Sequence, residues 1–172
     1  GVLPAAGADC RDHECAHRGV QRDGETKRFG VGAVTLNHVV RTPLARIETA
    51  GGDVLHAMKQ NDAGYAGFGE AYFSWVAGGA VKAWKRHTRM TMNLIVPLGK
   101  VRFVFHLDGG EEFRVEEIGP ERYARITVPP GIWFGFQGLA EPQSLVLNIA
   151  SISHDPGEVE RRALTEITYD WN

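Results

Sequence analysis

In the stretch VKAWKRH, residues 81–87, a lysine and a histidine stand two apart. Alternate side chains of a β-strand point to the same side. Lys85 and His87 therefore share one face with Ala83, and Trp84 and Arg86 share the other. An imidazole with an ordinary pKa of about 6.5 is largely neutral near neutral pH and can accept a proton. An ammonium group beside it can meet developing negative charge, or act as a base itself where burial and nearby cations lower its proton affinity. Charged groups are rarely fully buried unless they are paired or used. If the face carrying Lys85 and His87 is interior, the two converge on one small volume and can do proton-transfer chemistry; if it is exterior, they are only solvated.

The surrounding sequence supplies strands to position them. VGAVTLNHV, EAYFSWV, MNLIVPL, KVRFVFHL, FRVEEI, YARITV, WFGFQGL and SLVLNIAS are short runs rich in β-branched and aromatic residues. They are separated by turn sequences such as PLGK, LDGGEE, IGPER, VPPG and AEPQ, the pattern of an antiparallel sandwich or small barrel. In KVRFVFHL, Val101, Phe103 and Phe105 fall on one face and Arg102, Val104 and His106 on the other. Only EVERRALTEI, near the end, has a helical period, and a short C-terminal helix is expected there.

With 172 residues, 43% hydrophobic and 23% charged, the chain has the composition of one well-buried globular domain. A net charge of −2 provides no field that would draw nucleic acid or anionic lipid. No apolar run approaches the ~20 residues needed to span a bilayer. The opening GVLPAAGADCRDHECAH lacks the basic start and apolar block of a secretory leader, so a cytoplasmic location is expected. Residues 1–30 lack periodicity and read as an irregular arm, with the β-barrel domain over 31–172. Cys10, His13, Cys15 and His17 are all zinc-capable, but their crowding does not match the separated ligand pairs of usual zinc sites, so no metal is expected.

The segments FGEAYFSWVAGGAVKAWKRHTRMTMNLIVPLGKVRFVF, ITVPPGIWFGFQG and SLVLNIASISHDPGE resemble the cupin-like dTDP-4-dehydrorhamnose 3,5-epimerases, with the dTDP-sugar 3,4-ketoisomerases as near relatives. The likeness covers residues 52–165 and implies an all-β, double-stranded β-helix (jelly-roll, cupin-like) fold. It also implies a homodimer acting on a nucleotide-linked 4-keto-6-deoxy sugar without metal or organic cofactor, in deoxysugar or surface polysaccharide synthesis. Where the epimerases have arginine-glycine-leucine-histidine, this chain has Lys82, Ala83, Trp84 and Lys85, so Lys85 stands at the epimerase histidine. His87 matches the second of two ketoisomerase histidines, and Leu147 stands where the epimerases carry a tyrosine acid. HDPGEVER is closer to the ketoisomerases.

Both groups abstract a proton next to a ketone, which needs a base and a donor for the enolate oxygen. The resemblance and the residue types together make His87 and Lys85 the catalytic candidates. Lys82, Arg86, Arg89 and Arg102 are candidates for the nucleotide diphosphate, whose oxygens match cationic forks. Phe73, Trp84, Trp133 and Phe136 are candidates for stacking on base or sugar, and Glu70 and Ser74 for bonding the sugar. Tyr72, Tyr123 and Tyr169 are all possible acids, and His154 with Asp155 a conceivable second acid/base pair. The arginines read equally as solvated cations, Trp133 and Phe136 as core, Asp155 as a turn residue and Glu158 as a helix opener. A 3,5-epimerase-like activity is the leading expectation; a 3,4-ketoisomerase and a catalytically silent nucleotide-sugar-binding barrel are the alternatives.

Overall fold

The apolar runs become strands because each alternates between a face that packs and a face that meets solvent or a covering segment. The computed structural model describes residues 33–172; the expected arm over 1–30, with Cys10, His13, Cys15 and His17, lies outside the described residues. In chain order the strands are β1 (Val40–Pro43), β2 (Arg46–Ile47), β3 (Val54–Leu55), β4 (Glu70–Ala77), β5 (Val81–His87) and β6 (Met92–Leu98). They continue with β7 (Val101–His106), β8 (Phe113–Ile118), β9 (Ala124–Val128), β10 (Trp133–Gly138), β11 (Gln143–Ala150) and β12 (Val159–Arg161).

One five-stranded sheet has the order β1-β9-β6-β11-β4, and the other β12-β5-β10-β7-β8. Neighbouring strands run antiparallel in both. From β4 to β7, and again from β9 to β12, the chain alternates between the two sheets. That winding is the double-stranded β-helix, and the cupin-like fold is present.

The two inner faces meet in one core. Met92, Leu94 and Val96 of β6 and Ala124, Ile126 and Val128 of β9 pack against Val101, Phe103 and Phe105 of β7 and Phe134 of β10. A fully buried Phe or Leu contributes about 1.5–3 kcal/mol by leaving water. The outer face of the second sheet carries a smaller cluster, in which Trp84, Val104, Trp133 and Ile167 pack with Phe113, Tyr169 and Trp171.

The expected C-terminal helix is absent. EVERRALTEI instead begins at the end of a 3₁₀ turn, Pro156–Glu158, forms β12 and then makes a second 3₁₀ turn, Leu164–Glu166. Strand β5 would otherwise be a bare edge; β12 pairs with it, setting Val159 opposite His87 and Arg161 opposite Lys85. Beyond the strand, Trp84 and Arg162 exchange backbone hydrogen bonds at 3.1 and 3.2 Å. Satisfying that edge outweighs a weak helical period, since helix formation carries a costly nucleus while each pairing bond here adds to an existing ladder.

Candidate active site

The sheets part at one end to leave a cavity of about 130 Å³. Tyr72 and Ser74 of β4, Met92 and Leu94 of β6, and Val146 and Asn148 of β11 form one wall. Lys85 and His87 of β5, Phe134 and Phe136 of β10, and Val159 and Arg161 of β12 form the other, with His154 from the β11–β12 connection. A larger groove of about 760 Å³ runs along the turns bearing Gly99, Lys100 and 117–122, but its lysine is already paired with Glu117 at 2.7 Å and it has no imidazole. The residues that could transfer a proton gather at the smaller cavity.

His87 is 7% exposed and is held on three sides. Its ring lies nearly parallel to Phe134, with centroids 6.0 Å apart. Its carbonyl accepts the Gly131 N–H at 2.7 Å, from the VPPG turn that leads into β10. Gly131 has φ 89°, a conformation that costs glycine least. Its Nδ1 is hydrogen-bonded to Glu158. Glu158 is 1% exposed, and its second oxygen accepts the backbone N–H groups of Thr88, Arg89 and Met90 at 3.2–3.3 Å. Burial alone would raise the Glu158 pKa, but the hydrogen bond from His87 and those from the Arg89 and Met90 backbone prevail and hold it below the ordinary carboxylate value. An ionised carboxylate only accepts, so Nδ1 carries the hydrogen, and in the neutral form of the ring the lone pair lies on Nε2. This arrangement suits a general base.

Lys85 sits beside His87 along the strand and opposite Arg161. Burial, and then the positive charges of Arg161 and Lys82, bring the Lys85 pKa below that of a free lysine. Among the described residues neither Lys85 nor Arg161 is in an ion pair. Two unneutralised cations at one cavity are a site for an anion. Tyr72 looks across from the other sheet, its hydroxyl oxygen accepting the Asn148 amide at 3.0 Å. Base, cations and phenol together match what proton transfer beside a carbonyl on an anionic substrate demands.

A dTDP sugar isomerase from Desulfovibrio desulfuricans G20 is 34% identical, superposes with a TM-score of 0.72, and is matched over 77% of this chain and 90% of its own. The chain belongs to the dTDP-sugar isomerase and epimerase family. QdtA, a sugar 3,4-ketoisomerase from Thermoanaerobacterium thermosaccharolyticum solved with TDP, has 17% identity, a TM-score of 0.65, and coverage of 74% and 90%. A dTDP-4-dehydrorhamnose 3,5-epimerase from Sulfolobus tokodaii has 17% identity, a TM-score of 0.61, and coverage of 72% and 76%. At those identities the likeness is one of fold. No family model and no curated protein matches the chain.

Within this isomerase-family fold the candidate residues separate by face. Lys85, His87, Ser74 and Phe136 line the cavity, as does His154. Trp84, Arg86 and Trp133 do not; they lie on the outer face of the second sheet. Trp84 donates its indole N–H to Ile167 at 3.1 Å within the outer aromatic cluster. Arg86 bonds Asp108 and Glu160 and lies 4.7 Å over the Trp133 ring, whose N–H reaches Asp108 at 2.9 Å. Strand alternation is the reason, since residues next to Lys85 and His87 must point away from the cavity they face.

Arg102 is also on that outer face, bonded to Glu117 at 3.0 Å, and Arg89 pairs with Asp155 at 2.5 Å on the exposed loop. Lys82 donates to the Trp75 carbonyl at 2.7 Å and reaches the site only through its charge on Lys85. Glu70 begins β4 and is not among the lining residues, and Phe73 is 61% exposed on that strand's other face. Among the tyrosines, Tyr72 alone lines the cavity; Tyr123 donates to the His56 carbonyl at 2.9 Å and Tyr169 packs in the outer cluster. Leu147 alternates away from the lining residues Val146 and Asn148. Among the described residues no three His, Cys, Asp or Glu side chains are grouped to hold a metal.

Glu158, Arg161 and Asn148 belong to this site and were not singled out from sequence as site residues. Asn148 was visible as a polar residue in the inward series Ser144, Val146, Asn148 and Ala150. Reading VERR as a strand would have put Val159 and Arg161 on one face. Glu158 carried no local signal, because its partner is 71 residues away.

Proposed function

We propose that this protein is a 3,4-ketoisomerase of a dTDP-linked 4-keto-6-deoxyhexose. The observation that carries this reading is the His87 imidazole, its Nδ1 hydrogen bonded to an ionised Glu158 and its Nε2 free for the cavity. His87 takes the proton from C3 of the sugar, and the C3–H electrons form the C3–C4 double bond as the C4 carbonyl becomes an enolate. Lys85 meets the negative charge, and the Tyr72 hydroxyl protonates O4. The C3 hydroxyl then returns a proton to the Tyr72 phenolate, the C3 carbonyl forms, and the double-bond electrons take the proton from His87 at C4. Atoms and charge balance, and both groups end as they began. Arg161 holds the diphosphate.

Two features favour this reading over 3,5-epimerisation. His87 stands at the second ketoisomerase histidine while the epimerase histidine position is Lys85, and β11 brings no tyrosine to the cavity. The location of Tyr72 on the sheet facing His87 favours the second reading, inversion at C3, since an acid on the far side of a ring can return the proton there. Incubation with TDP-4-keto-6-deoxyglucose in deuterium oxide separates them. A product with its carbonyl at C3 and deuterium at C4 is expected. Label at C3, alone or together with C5, with the carbonyl unmoved establishes epimerisation instead, and TDP-sugar binding with no exchange establishes the silent barrel.

A further inference from the structure

Asn148 is 3% exposed, yet its side-chain oxygen Oδ1 has no hydrogen-bond partner. It stands in register between Tyr72 on β4 and Leu94 on β6, on the wall it shares with Tyr72, Ser74, Met92, Leu94 and Val146. An amide in such a place is unfavourable unless both its ends are satisfied, and a leucine would pack there without that penalty. Only the nitrogen end is satisfied, by donating to the Tyr72 oxygen at 3.0 Å. The unmatched end belongs to a residue that lines the cavity, and unmatched buried polar atoms are rare in folded proteins.

We propose that Asn148 is both the positioning residue for Tyr72 and the specificity determinant of the sugar site, its Oδ1 accepting a ring hydroxyl next to the reacting carbons. This rests on the ketoisomerase reading. With the Asn148 N–H on its oxygen, the phenol must turn its own hydrogen elsewhere, toward whatever occupies the cavity. Tyr72 is thereby set as a donor. The free Oδ1 then needs a hydroxyl donor, and the C2 hydroxyl adjoins the carbons between which the proton moves. A site built around a buried acceptor rejects an analogue lacking the donor far more strongly than an apolar site does.

The test compares wild type, Asn148→Leu, Tyr72→Phe and the double variant on TDP-4-keto-6-deoxyglucose and its 2-deoxy counterpart, with TDP binding as the fold control. Wild type is expected to prefer the 2-hydroxy substrate by about a hundredfold or more in kcat/KM. In Asn148→Leu that preference collapses to a few-fold, kcat falls by about ten- to a hundredfold, and the TDP Kd stays as in wild type. On the 2-deoxy substrate, where only the positioning role remains, the double variant is no slower than Tyr72→Phe, because there the two residues act as a unit. An Asn148→Leu enzyme with wild-type kcat and wild-type preference overturns the inference and leaves the ketoisomerase reading intact. A wild type that binds TDP but turns over neither sugar overturns the reading, and the inference with it. If Asn148→Leu also loses TDP binding, Asn148→Ala carries the same comparison in a smaller residue without an acceptor, with a retained preference again overturning the proposal.

Discussion

His87 and Glu158 are 71 residues apart in the chain and share a hydrogen bond inside the protein. The other Glu158 oxygen is fixed by the backbone N–H groups of Thr88, Arg89 and Met90, the three residues that follow His87. The carboxylate therefore grips the end of β5 at two levels, holding both the imidazole tautomer and the turn that carries it. Glu158→Gln keeps the shape but offers a neutral amide that can donate to Nδ1 as well as accept. The expected result is a fall in kcat of about a hundredfold or more with KM for the sugar nucleotide little changed. Steady-state kinetics on TDP-4-keto-6-deoxyglucose checks it; equal loss in His87→Asn and in the double variant marks the pair as one unit.

The same carboxylate makes stability depend on pH in a defined direction. Glu158 has a folded-state pKa below its ordinary value of 4.5. Its contribution is fully present above that ordinary value and is lost as pH falls from 4.5 through the lowered one. Because Gln does not titrate, comparing the variant with wild type isolates this group from the other depressed carboxylates, Asp62, Asp108 and Glu117. Urea unfolding near neutral pH is expected to show Glu158→Gln less stable by about 3 kcal/mol, since a buried partnered charge has been removed. The gap should close as the pH is taken below the carboxylate range. A gap that stays constant into acid shows that the carboxylate is not ionised in the fold.

The strand alternation that sets Lys85 with His87 also sets Trp84 and Arg86 on the opposite face, and the structure follows that alternation for all four. The outward position of Arg86 was thus legible, and its candidacy for phosphate came from charge alone. The core positions Val101, Phe103 and Phe105 were legible for the same reason. Glu158 and Arg161 were not, because their places depend on the edge of β5, which no local pattern around 158–161 reveals. A weak helical period competed with a long-range ladder, and the ladder prevailed. Which of the scattered arginines meet anions was likewise decided by distant partners: Glu117 for Arg102, and Asp155 for Arg89.

Lys85 gives a second pH dependence, at the alkaline end. Burial and the charges of Arg161 and Lys82 lower its pKa, so the ammonium loses its proton at a lower pH than a free lysine. If the ammonium meets the enolate, kcat falls as pH rises through that lowered value. Lys85→Arg retains a charge that does not titrate in this range. The expected outcome is an alkaline limb in wild type, below the ordinary lysine range, that disappears in Lys85→Arg. Lys85→Ala should be slower at every pH. A pH–rate profile for the three proteins decides it, and an unchanged alkaline limb in Lys85→Arg assigns the limb to another group.

The cations divide into Lys85 and Arg161, which line the cavity, and several that are paired elsewhere on the barrel, and the two kinds are expected to respond oppositely to substitution. Arg161 is on the cavity wall with no carboxylate partner among the described residues. Arg161→Ala is expected to weaken TDP binding by about tenfold or more, with the loss shrinking at high salt. Arg86 bonds Asp108 and Glu160, and it and Arg162 lie 4.7 and 4.3 Å from the centre of the Trp133 ring. Arg86→Met is therefore expected to leave the TDP Kd within about twofold while lowering stability by about 1 kcal/mol, the scale of a partly exposed ion pair with a cation–π contact. Calorimetric titration with TDP at two salt concentrations, alongside urea unfolding, separates the two behaviours. Were Arg86→Met to weaken TDP binding as strongly as Arg161→Ala, the nucleotide would have to reach the outer face of the sheet, and the cavity would no longer be the place where the diphosphate is held.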